Sequence, residues 1–172
     1  VNIPILNHFE NVFRGCVQTL YSDPHTIAKS VKNSDLVIGA VLVTGAKAPT
    51  LVSRELVSQM SAGSVIVDVA VDQGGCVETC RPTTHDNPTY EVDGVVHYCV
   101  ANMPGAVAHT STIGLTNSTF KYALDIANKG LEKSVRENDA LLKGINSYNG
   151  NIVYKAVSDS LNLPFVPIEM CW

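Results

Sequence analysis

Asp68, Asp72 and Asn102 are the polar residues whose surroundings mark them for chemistry or for a buried structural role. Asp72 ends the run Ser64-Val65-Ile66-Val67-Asp68-Val69-Ala70-Val71-Asp72 and is followed by Gln73-Gly74-Gly75. Asn102 follows His97-Tyr98-Cys99-Val100-Ala101 and precedes Met103-Pro104-Gly105. Short apolar runs of this kind fit strands buried on both faces. In open parallel sheets, ligands bind beyond the carboxyl ends of the strands, so an acid and an amide are delivered to the expected place. A carboxylate tuned to neutral pH can move protons there. Residue types alone leave alternatives open: Asp72 equally fits a turn or helix cap, and Asn102 an amide satisfying hinge backbone. Asp68, inside its apolar run, reads as a buried, hydrogen-bonded structural carboxylate. His97 and His109 read as a structural strand histidine and a structural loop histidine.

The elements that must position these residues follow from periodicity and punctuation. Ile3 to Phe13 has helical spacing with Gly15 behind it, and Val17 to Tyr21 reads as a short strand. Asp23-Pro24 starts a helix to Asn33, and Asp35 leads into a strand from Leu36 to Val41. Thr44 to Pro49 is a loop after that strand, carrying Lys47. Ser53 caps a helix through Met60 with Leu56 and Val57 inward, before the Asp68/Asp72 strand. Residues 73–94 lack periodicity and read as an excursion outside the sheet, and Val95 to Val100 is the last strand. After Gly105 only helices are expected: a long one capped by Ser111 or Thr112, a short one at Asp139 to Lys143, and another from Val153 to Leu161. The alternation of strand and helix predicts an α/β fold with a parallel sheet over residues 1–105, and a helical second part over 106–172, hinged at Asn102 to Gly105.

With 172 residues, 45% hydrophobic and 16% charged, the chain can bury a sizeable core. A net charge of −4 gives no electrostatic footprint for nucleic acid or an anionic membrane surface. No apolar run approaches the ~18 residues of a membrane span, and the first residues lack signal-peptide features, so a cytoplasmic protein is expected. Five cysteines at irregular spacing point to reduced thiols. Cys76, Cys80, His85, His97 and Cys99 include zinc-ligand types, but the step between the first two departs from paired-cysteine knuckles, and no metal is expected. Neither Gly-x-Gly-x-x-Gly nor Gly-x-x-x-x-Gly-Lys-Ser/Thr occurs, so a self-contained pyrophosphate cradle is not expected within these residues.

The strings Asp35-Leu-Val-Ile-Gly-Ala-Val-Leu42, Gly45-Ala-Lys-Ala-Pro49, Val67-Asp-Val-Ala-Val-Asp-Gln-Gly-Gly75 and Ala101-Asn-Met-Pro-Gly105 occur in order. With Arg81-Pro-Thr-Thr-His85, Leu115-Thr-Asn117 and Leu141-Leu-Lys-Gly144, they closely resemble alanine dehydrogenases from Gly15 to Phe165. The resemblance implies a partial Rossmann-like sheet without its first fingerprint βαβ unit, followed by helices that return to the substrate domain, so that this chain corresponds to the C-terminal half. It further implies NAD as cofactor, L-alanine and pyruvate as substrates, and a homo-hexamer. Matched residue by residue, Asp72 falls on the catalytic aspartate, and Asn102 and Met103 fall on active-site residues at the hinge. Ala40, Val41 and Leu42 fall on the strand end against which the cofactor lies, and Val69 and Val71 flank the nicotinamide. Thr44, Ala108 and His109 depart from the family pattern. The alternatives are a transhydrogenase-type NAD-binding domain, whose residues differ at Asp72 and the Asn102 string, and a non-catalytic remnant acting only through assembly. In isolation the chain is expected to bind NAD weakly or not at all and to expose an apolar sheet edge or face.

Overall fold

Capping residues set the first two helices where their patterns predict. In the computed structural model, which describes residues 2–171, α1 spans Ile3–Phe13 and α2 spans Pro24–Lys32. Asn2 Oδ1 accepts the Ile5 N–H at 3.2 Å, and left-handed Arg14 ends α1. Asp23 Oδ1 accepts the His25 and Thr26 N–H groups, both at 2.9 Å, and Oδ2 accepts the Thr26 hydroxyl at 2.7 Å. The Thr26 backbone and hydroxyl bonds, with the His25 amide, hold the Asp23 carboxyl below its ordinary value of 3.8. A carboxyl held low in the folded state stabilises that state above the unfolded value, and the contribution is lost as pH falls through the folded value. An NMR titration is expected to show the His25 and Thr26 amide signals moving together below pH 3.8. Asp23→Asn should abolish that shared step.

Chain contacts divide the protein into two compact units, one holding residues up to Val41 with Pro49–Ala101, the other Leu42–Ala48 with residues from Asn102 on. The first unit contains β1 (Leu36–Gly39), α3 (Arg54–Val57), β2 (Val65–Asp68), β3 (Thr89–Val92) and β4 (Val95–Tyr98). The sheet order is β1-β2-β4-β3, with the first two pairings parallel and β3 antiparallel to β4. Register aligns Val37 with Ile66 and Ile66 with His97. On that face Ile66 and His97 are buried, and the core continues through Val31, Val52, Leu56, Val57, Met60 and Val95. Each fully buried side chain of this size contributes about 1.5–3 kcal/mol.

Three expectations for this unit are corrected. Residues 17–21 form no strand: no described strand pairs with this segment, and an extended run gains ladder hydrogen bonds only from such a neighbour. Residues 73–94 are not wholly outside the sheet, because Thr89–Val92 is β3. Its hairpin turns on Asp93 and Gly94, with φ of 53° and 80°, the paired positive values a two-residue turn requires. The strands are also not fully buried on both faces: buried and half-buried residues alternate along β2 and β4, while Leu36 and Ile38 of β1 stay exposed.

The second unit starts with a 3₁₀ turn at Met103–Val107 that runs into α4 (Ala108–Lys129), followed by α5 (Leu131–Glu137) and α6 (Asp139–Gly144). The long helix thus begins before Ser111, whose hydroxyl donates to the Pro104 carbonyl at 2.9 Å instead of capping. His109 accordingly lies in the first turn of a helix and not in a loop. Gly130, at φ 78°, separates α4 from α5. Ser134 Oγ donates across to the Asp125 carbonyl at 3.0 Å. The expectation of helices alone fails here as well: β5 (Ser147–Tyr148) and β6 (Asn151–Ile152) form a hairpin over Asn149-Gly150 before α7 (Lys155–Leu161). No residue of α4 is buried, and Ile113, Leu115, Phe120 and Leu124 are exposed.

Candidate functional site

Asp72 is presented by a turn that winds around the carboxylate of Asp68. β2 ends at Asp68, and residues Val69–Gln73 form one 3₁₀ turn. Asp68 is fully buried. Its Oδ1 accepts the Ala70 N–H at 2.9 Å, and its Oδ2 accepts the Cys76 N–H at 2.8 Å and the Val77 N–H at 3.3 Å. The returning chain at Gly75 has φ +74°, and a Cβ there would lie 3.0 Å from Asp68 Oδ2. A residue with a side chain would therefore be strained and would crowd the carboxylate. The turn closes through Gly74 N–H to the Val71 carbonyl at 3.1 Å and Gly75 N–H to the Ala70 carbonyl at 3.0 Å. Asp72 is left exposed at the crest, and Val71 is buried beneath it. Val69 is half exposed, at 51%.

Because Gly39 pairs with Asp68 in parallel register, Ala40 and Val69 leave neighbouring strand ends side by side. Ala40 is exposed and Val41 is half-buried, so the exit from β1 and the Val69 side chain form a small apolar surface next to the turn that carries Asp72. Ala40, Val41, Val69, Val71 and Asp72 belong to the first unit. Leu42, Asn102 and Met103 belong to the second. Leu42 is exposed at 70%. Asn102 adopts a left-handed conformation, φ 58° and ψ 50°, and its carbonyl accepts the Gly105 N–H at 2.8 Å. It opens onto a groove of about 570 Å³ lined also by Pro104, Gly105, Ala108, Ser111, Thr112 and Leu115. Met103 is half-buried.

Lys47 lies exposed on the loop after β1. Within the second unit this loop is held against α7: a Cβ on Gly45, φ +76°, would stand 2.8 Å from Tyr154 Cε1 and 3.0 Å from Ala156 Cβ. Gly45→Ala is expected to destabilise the fold by more than about 1 kcal/mol in urea unfolding, since it adds both strain and collision. A smaller loss would mean that the loop leaves Tyr154 freely. Residue patterns did not disclose this contact, because Gly45 and Tyr154 are far apart in the chain.

His97 is fully buried, with Nδ1 at 2.9 Å from the Val95 carbonyl and Nε2 sharing a 2.7 Å hydrogen bond with the Thr79 hydroxyl. Tyr90 stacks on it at 5.1 Å and donates from its hydroxyl to the Thr79 carbonyl at 3.0 Å. Both ring nitrogens of His97 are thus engaged in holding the sheet. Among the described residues no group of His, Cys, Asp and Glu is placed to hold a metal ion.

A mostly parallel sheet with a carboxylate-bearing turn beyond a central strand defines a Rossmann-like α/β protein. The sequence profile described as alanine dehydrogenase/PNT, C-terminal domain, matches residues 1–155, and the chain belongs to this family. It is 58% identical over 98% of its length to an alanine dehydrogenase of Methanococcus maripaludis. It is 56% identical, again over 98%, to an alanine dehydrogenase of Bacillus subtilis. It covers 46% and 45% of those two proteins, so it spans slightly under half of the relatives' length. A solved L-alanine dehydrogenase structure superimposes with a TM-score of 0.80 at 52% identity, over 94% of this chain and 45% of the other.

Proposed function

We propose that the chain supplies one wall of the active site of an NAD-dependent L-alanine dehydrogenase, which converts L-alanine, NAD and water to pyruvate, ammonia and NADH. The observation that carries the reading is the exposed Asp72 carboxylate, fixed by Asp68 at the carboxyl end of a parallel strand in a chain of this family. In this reading residues 1–105 belong to the NAD-binding domain, and 106–172 return to the substrate domain.

The residues present fit the nicotinamide end of the cofactor: small Ala40 and half-exposed Val69 offer an apolar bed beside an acid. Ala40, Val41, Leu42, Val69, Val71, Asn102 and Met103 would hold it, Val71 from beneath through the turn. When bound, NAD supplies the acceptor for the hydride that leaves the α-carbon of alanine. Asp72 holds the substrate nitrogen while it carries positive charge, then takes and returns protons as water adds to the iminium carbon and ammonia departs. Asn102 orients the reacting group with its amide. The exposed apolar residues of β1 and α4 pack against the rest of a subunit of the relatives' length and against further subunits of a homo-oligomer.

The test is to join this chain to the N-terminal part of the Bacillus subtilis relative and to follow alanine-dependent formation of NADH. Activity with alanine and pyruvate is expected from the joined protein and not from this chain alone. An assembled, folded protein that turns over neither substrate would overturn the reading.

A further inference from the structure

The hairpin of the second unit carries a reactive pair of residues at its turn. β5 and β6 pair Ser147 with Ile152 and Tyr148 with Asn151, which leaves Asn149 and Gly150 to make the turn. Their φ values, 47° and 78°, are the paired positive values of a two-residue turn. Both residues are exposed. The Asn149 backbone carbonyl accepts the Asn151 side-chain N–H at 3.3 Å, while among the described residues the Asn149 side chain and the Gly150 N–H have no hydrogen-bond partner. Every other asparagine of the chain is followed by a residue that bears a side chain. Asn33 and Asn117, also exposed, show the contrast: each precedes a serine, the Ser34 N–H donates to the Val31 carbonyl at 3.2 Å, and Asn117 and Ser118 lie inside α4.

We propose that Asn149 is a modification site, at which the chain cyclises on itself and takes up water, and that the isoaspartate so formed unfastens the β5–β6 hairpin. The Gly150 nitrogen attacks Asn149 Cγ: the N–Cγ bond forms, the Cγ–Nδ2 bond breaks, and Nδ2 leaves as ammonia with the proton given up by the Gly150 nitrogen. Water then opens the cyclic imide. Cleavage of the N–Cγ bond gives aspartate, and cleavage between the nitrogen and the backbone carbonyl carbon gives isoaspartate, in which the chain runs through Cγ. In sum one water enters, one ammonia leaves and one negative charge is added, with no change of oxidation state. A Cβ on the following residue would crowd the attacking nitrogen, and Gly150 has none. The closed turn fixes the backbone on both sides of the Asn149–Gly150 peptide, so the ring forms when the hairpin opens. With two residues in each strand, that opening is a local event of small cost. Isoaspartate lengthens the backbone by a methylene inside a turn whose register admits two ordinary residues. The hairpin then loosens the bonds beside it, in which the Val153 N–H donates to the Asn146 carbonyl at 3.0 Å and the Val166 N–H to the Ile152 carbonyl at 2.9 Å.

The experiment incubates the folded 172-residue chain in warm, mildly alkaline buffer beside a sample unfolded in guanidinium, and maps both by mass spectrometry with fragmentation that separates isoaspartate from aspartate. The expected result in the folded chain is one dominant change, at Asn149, with the mass of a hydroxyl in place of an amino group. Isoaspartate should be among the products, and the rate should lie within about tenfold of that in the unfolded sample. Amide exchange at Val153 and Val166 should quicken in the isoaspartate fraction relative to the unmodified chain. Asn149→Asp, which installs the other product directly, should lose the ammonia release over the same interval and keep the exchange of the parent. Conversion of Asn149 more than about tenfold slower than in the unfolded sample would overturn the proposal. So would earlier conversion of another asparagine, undiminished ammonia release from Asn149→Asp, or unchanged exchange in the isoaspartate fraction. None of these readouts involves alanine or NAD.

Discussion

Replacing Asp72 by asparagine in the assembled two-domain enzyme is expected to lower kcat for alanine oxidation by about 10²- to 10⁴-fold, the range supplied by a positioned proton-transfer group. Asparagine keeps the size and hydrogen-bonding reach of the side chain and removes its charge and proton affinity. Asp72 is exposed on the crest of its turn, while the bonds that hold the turn run through Asp68. The variant should therefore unfold in urea within about 0.5 kcal/mol of the parent. Steady-state kinetics together with urea unfolding separates the two roles that residue patterns leave open. A variant with near-normal kcat would make Asp72 a turn residue.

Asp68→Ala should do the reverse, with its main effect on the fold. The substitution leaves the Ala70 and Cys76 N–H groups without the acceptors they meet at 2.9 and 2.8 Å, in a place with no access for water. Hydrogen bonds to a charged group contribute about 1.5–3 kcal/mol each, so the expected loss is about 3–5 kcal/mol in urea unfolding. Asp68→Asn keeps one carbonyl oxygen but turns an amide nitrogen toward an N–H donor, and should cost about half as much. Amide exchange at Ala70, Gly75 and Cys76 should accelerate in both variants. Unchanged stability of the alanine variant would mean that the turn holds its shape without the carboxylate.

Much of the first unit was legible from local chemistry. Asp23-Pro24 marks a helix start because the cap and the proline both act within one turn, and α2 begins there. Asp68 inside an apolar run implies internal partners, and its acceptors are filled by the backbone eight and nine residues onward. The missed strand β3 also had a local signal: Asp93-Gly94 between apolar residues is a hairpin turn, as is Asn149-Gly150 before β6. Proline, asparagine and threonine in the preceding stretch masked it, since they suggest an irregular loop and say nothing of an edge pairing. Val17 to Tyr21 failed for the opposite reason. Its composition suits a strand, but a strand exists only where a neighbouring ladder accepts it.

By itself the sequence determined the α/β alternation, the Asp23 and Ser53 helix caps, the family and the turn on which Asp72 sits, all of which depend on residues close together in the chain or on long matching strings. Only the tertiary structure decided how deeply each face of each strand is buried, that Asp68 gathers the whole Asp72 turn, and that Gly45 meets Tyr154. Those facts depend on which distant segments are brought side by side. Packing and sheet pairing settle that, and no local pattern encodes it.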